Sequence, residues 1–87
     1  MNEYINEKVS VIVSYNRETG KVTPRKMRWQ GREYFFTDKP SYLYKAREGR
    51  NIIHVFHMTD GSMDFKLRLD SETLHWTLME VTDGTAD

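Results

Sequence analysis

Three histidines, His54, His57 and His75, are the first candidates for metal chemistry in this 87-residue sequence. His54 and His57 stand three apart in a stretch that reads as a strand, which turns them to opposite faces. His75 lies on a later strand with no evident link to either. A zinc site needs three or four converging ligands, so no metal site is expected. The carboxylates are no more suggestive. Asp60 and Asp70 sit in turn-forming contexts, and Asp64 is the outward member of an alternating strand. Ser41, Ser62 and Ser71 have turn neighbours and no nucleophile-elbow pattern around them. The sequence predicts no catalytic residue and no cofactor.

Charge is the stronger signal. Net charge is zero, but residues 17–50 hold ten basic side chains against four acidic ones, while the stretch after them is acidic. Within the basic stretch, Lys26 and Arg28 alternate with Met27 and Trp29, Arg32 follows across a turn, and Phe35 falls opposite Tyr34 and Phe36. Lys26, Arg28, Arg32 and Phe35, joined by Arg47 and Arg50 from a nearby polar loop, form the candidate binding surface. Cations pair with phosphates while an exposed ring stacks on bases, which is what single-stranded nucleic acid requires. The competing explanation is a solvated face that keeps the sheet soluble.

These residues must be carried by strands. Residues 9–15 alternate, with Val9, Val11, Val13 and Tyr15 on the buried side. Residues 23–29 form a second strand, in which Pro24 belongs near the start or on an edge. Gln30-Gly31 occupies a two-residue hairpin turn before residues 32–37. Residues 38–41 break the chain, residues 42–45 continue the third strand or form a short one, and residues 46–51 read as a loop. Strands at 52–58, 63–69 and 74–81 follow. Asp60-Gly61 is expected to form a type I′ turn, and Leu74, Trp76 and Leu78 to point inward. No window has helical periodicity. The expectation is an all-β fold, a single antiparallel meander of five to six strands curled into a partly open barrel. Its ordered core should span about residues 8–82 of the single domain 1–87, with a frayed C-terminal tail.

Composition agrees with a small folded domain. Two Trp, five Tyr and four Phe supply core material that a disordered segment lacks. There is no cysteine, which removes disulfides and thiolate ligands. Residues 1–8 have no apolar h-region and no apolar run approaches membrane-spanning length, so a cytoplasmic location is expected.

The order Pro24…Trp29-Gln30-Gly31-Arg32-Glu33-Tyr34, then Asp60-Gly61…Phe65-Lys66-Leu67…Asp70 and Trp76-Thr77-Leu78, resembles a family of short, uncharacterised bacterial proteins. That family has a Pro…Trp-x-Gly-Arg-x-Tyr hairpin and a closing Trp-x-Leu strand. The resemblance spans roughly residues 22–83. Some members are associated with translesion DNA polymerases, so it implies a DNA-repair accessory role, without an activity or catalytic residue to carry over. The segment 39–49 here lacks the Trp-rich connection of the polymerase-linked members. The overall expectation is a non-catalytic binding or accessory module contacting single-stranded nucleic acid. The alternative is a homo-oligomeric or protein-partner-binding module; a membrane role is not expected.

Overall fold

Alternation of apolar and polar residues, punctuated by glycine-bearing turns, resolves into seven antiparallel strands. The computed structural model describes residues 2–37 and 41–83. The strands are β1 (Asn2–Asn16), β2 (Lys21–Trp29), β3 (Arg32–Phe35), β4 (Ser41–Glu48), β5 (Asn51–Thr59), β6 (Met63–Asp70) and β7 (Trp76–Asp83). They form one sheet in the order β3-β2-β1-β7-β6-β5-β4. Every strand except across the β3/β4 break lies beside its sequence neighbour, and β1 also pairs with β7. The topology is a meander rolled round until its first and last strands meet, with an open seam between β3 and β4. Just past β3, the Thr37 amide donates to the Thr59 carbonyl at the end of β5 (2.8 Å), fixing the curl there. The described residues contain no helix, and so none long and apolar enough to cross a membrane.

The all-β class and the curled, open meander match the sequence reading; the strand count is higher. Residues 46–48, read as loop, extend β4 to Glu48, leaving Gly49-Arg50 as a two-residue turn opposite the Glu48–Asn51 pair. Gly49 supplies the positive φ (61°) that such a tight turn demands. β1 also begins earlier than residue 9, with residues 2–9 paired to β7 and residues 10–16 to β2. A register shift between Tyr4 and Glu7, with Asn6 at a φ of 55°, lets this long strand bend from one half of the sheet into the other. The Trp29 indole N–H donates to the Glu7 carboxylate (3.1 Å) and pins the β2–β3 hairpin to that bend. The expected chain break at residues 38–40 and tail at residues 84–87 lie outside the described residues.

The core fills the concave side. Met27, Phe36, Phe56, Met58, Phe65, Leu67, Leu78 and Val81 are buried together, with Trp29, Tyr34, Leu69 and Trp76 packed against them. Phe65 is its centre, with ring centroids 5.3 Å from Tyr34 and 5.6 Å from Phe36. Cross-strand rows such as Phe56–Leu67–Leu78 show why the alternation in β5, β6 and β7 is so regular. On the outer side, the Arg68 guanidinium crosses β5 to reach Glu48 on β4 (2.7 Å). On the same side, Val55, which pairs with Arg68 in the ladder, and Ile53 are buried although they are not in the central cluster.

Three sequence expectations fail in this frame. Val13 and Tyr15 keep the inward register, paired with Pro24 and Val22, yet they are 39% and 65% exposed because β7 no longer flanks that part of β1. Leu74 is not inward. It closes the β6–β7 turn at a φ of 63° with its amide on the Asp70 carbonyl (2.7 Å), and is 70% exposed. Asp60-Gly61 is no type I′ turn, since only Gly61 has positive φ (102°). The Asp60 carboxylate instead accepts the amides of Ser62 (2.9 Å) and Met63 (2.8 Å), holding a longer loop.

Candidate nucleic-acid interface

The outer face of β1, β2 and β3 carries the candidate site, and the ladder shows who meets whom. Gln30 and Gly31 both adopt positive φ (54° and 76°), making the type I′ turn that the right-handed twist favours. This turn fixes the register: Lys26 opposite Phe35, Met27 opposite Tyr34, Arg28 opposite Glu33 and Trp29 opposite Arg32. On the other flank, Lys26 is opposite Ile12 and Arg28 opposite Ser10. Two rows therefore run across the outer face, Ile12–Lys26–Phe35 and Ser10–Arg28–Glu33.

Lys26, Arg28 and Phe35 are thus together. Phe35 is 63% exposed and the Lys26 ammonium stands 5.5 Å from its ring centroid. Glu33 sits among them and takes Lys26 as its partner at 3.4 Å. Arg32 belongs elsewhere. Its register places it with Trp29 and Tyr34 on the opposite side, its guanidinium 5.9 Å from the Tyr34 ring centroid. Arg47 lies near the end of β4 and Arg50 in the β4–β5 turn, on the other edge strand of the sheet, six strands from β3.

Arg25 joins the outer face, which simple alternation does not foresee, since it should follow Met27 and Trp29 inward. Between Ile12 and Val13 the register steps from Lys26 to Pro24, so Arg25 is the extra residue of a bulge on β2. Pro24 then takes the buried position and Arg25 turns outward, its Nε donating to the Ser14 hydroxyl (3.1 Å). The signal was present in the sequence: a proline inside a strand often marks a bulge. β3 pairs only with residues 26–29 of β2, so Pro24 also sits where that flank of β2 carries no ladder partner from β3.

Elsewhere the structure offers little chemistry. Among the described residues, no three His, Asp or Glu side chains converge as a cation site. His54 lies in the inner row with Leu69, whereas His57 is outward, 3.5 Å from Asp64. Among the described residues, the two carboxyls held below their ordinary range are turn formers. Burial raises that of Asp60, but the Met63 and Ser62 amides and the Ser62 hydroxyl outweigh it. The Glu72 amide, helped by Asn51 and Thr73, lowers that of Asp70. An apolar cleft of about 340 Å³ opens between Val22 of β2 and Phe56 and Leu69 of β5 and β6, with Lys21 and His54 also in its lining. No protein-family model, curated protein or solved structure matches the chain.

Proposed function

We propose that the protein is a non-catalytic binding module that takes single-stranded DNA on the outer face of β1, β2 and β3. The observation that carries this is the Phe35 ring, left 63% exposed on an edge strand with Lys26 against it and Arg25 and Arg28 on the neighbouring strand. A large aromatic side chain on an outer sheet face contributes nothing to the core and costs hydration. It gains its place by stacking on an unpaired base, while the three cations meet the adjoining phosphates. DNA, rather than RNA, follows from the repair role implied by the Trp29-Gln30-Gly31-Arg32 resemblance. Arg32, Arg47 and Arg50 lie off this face and are assigned no part in it.

A fluorescence-anisotropy titration with a labelled oligothymidylate, set beside a duplex of equal length, tests the reading. Stacking on Phe35 needs unstacked bases, so the single strand binds tighter. Equal binding to both, or none to either at low salt, would overturn it.

A further inference from the structure

The outer half of β1 is built unlike the other strands. Residues 10–16 pair with β2 on one side only, because β7 ends its pairing at Val9. No described strand flanks the other side. This open stretch reads Ser-Val-Ile-Val-Ser-Tyr-Asn, with no charge, no proline and three β-branched residues. Ile12, Val13 and Tyr15 on it are 56%, 39% and 65% exposed. Proteins normally protect such an edge with lysine, proline or a covering element, because its free amides and carbonyls recruit another strand.

We infer that this edge is where a second copy of the chain adds, strand against strand, in an antiparallel two-fold pair centred on Val13. The fit is one of length and shape. With Val13 beside its own copy, Asn16 of one chain falls opposite Ser10 of the other. The incoming strand thus ends where β7 begins at Trp76, beside Val9. The same register sets Tyr15 of each chain opposite Val11 of the other. Val11 lines a notch of about 340 Å³ with Val9, Trp76 and the exposed Leu74, at the point where β1 leaves β7. Tyr15 enters that notch and covers Leu74, which explains two apolar side chains left in solvent by the single chain. The outer faces of the two copies then become one continuous sheet. The pairing stands independently of DNA binding.

Sedimentation equilibrium over a micromolar to millimolar dilution series, with no nucleic acid present, reads the mass directly. It should rise from 10.4 kDa to twice that. Tyr15→Glu combined with Leu74→Glu changes only exposed positions and should weaken association by at least about tenfold. The register has its own test, because the chain has no cysteine. Paired Cα atoms in an antiparallel ladder stand about 4.5–5.5 Å apart, within disulfide range. Val13→Cys should therefore cross-link to dimer under mild diamide oxidation, while Thr19→Cys in the turn should not. A monomer at every concentration, or Thr19→Cys cross-linking as fast as Val13→Cys, would overturn the proposal.

Discussion

Glu33 is the acidic side chain that stands between Lys26 and Arg28 on the proposed DNA face, and replacing it with glutamine should strengthen binding. The face carries Arg25, Lys26 and Arg28 against Glu33, whose carboxylate lies 3.4 Å from Lys26 and directly opposite Arg28. The Lys26 and Glu33 side chains are 28% and 46% exposed, so water screens the pair heavily. An ion pair of this kind is worth about 0.2–1 kcal/mol, and that is the most the fold should lose. For DNA the change is larger in character than in size. Glu33→Gln removes one negative charge from the face. Each neutralised phosphate of a single strand contributes about −0.7 to the slope of log K against log salt, so the slope should steepen by about 0.7. Freeing Lys26 should tighten binding at low salt by about 1.4- to 5-fold, the equivalent of 0.2–1 kcal/mol. Anisotropy titrations of the two proteins at four or five salt concentrations, with far-UV circular dichroism to confirm the fold, measure both quantities. An unchanged slope and affinity in a folded Glu33→Gln protein would show that DNA does not lie across this face.

Two further predictions concern the scaffold. Phe65→Ala empties the centre of the core, where the ring contacts Tyr34 and Phe36. It should cost about 3–5 kcal/mol in urea unfolding, a large part of the stability of a domain this size; a loss below about 1 kcal/mol would mean the core is centred elsewhere. The Asp60 carboxyl is held below its ordinary value of 3.8 in the folded protein. Its contribution is therefore complete above that value and lost as pH falls through the lower folded one. Asp60→Ala should be less stable than the parent at pH 7 and converge on it in acid, and unfolding curves that stay parallel down to pH 2 would contradict this turn's role.

Local chemistry in the sequence carried most of the architecture and part of the site. Gln30-Gly31 was legible because a two-residue turn flanked by alternating strands admits few geometries, and with it came the pairing of Lys26 with Phe35. Phe35 was legible as outward because Tyr34 and Phe36 claim the other face. What escaped were places where one residue breaks the period. The bulge at Arg25 brings an unforeseen cation to the outer face. Arg32 sits one step past the register that would have kept it with Arg28, so it goes to the other side. Leu74 continues an apolar alternation on paper, but Asp70 draws the chain into a turn there and leaves it in solvent. Arg47 and Arg50 are close to the hairpin in sequence but belong to the opposite edge of the sheet order. That placement is set by strand order, which no local pattern encodes.

The central claim rests on one ring, and Phe35 can be changed with little risk to the fold because it is largely outside the core. The decisive measurement is the dissociation constant for a single-stranded oligothymidylate with phenylalanine, tryptophan or alanine at position 35. Stacking on a base is worth about 1–3 kcal/mol, so Phe35→Ala should weaken binding by about 5- to 150-fold, and Phe35→Trp should retain or improve it. The salt slope should stay the same in all three, because the ring carries no charge. Equal affinity across the three proteins would contradict the account.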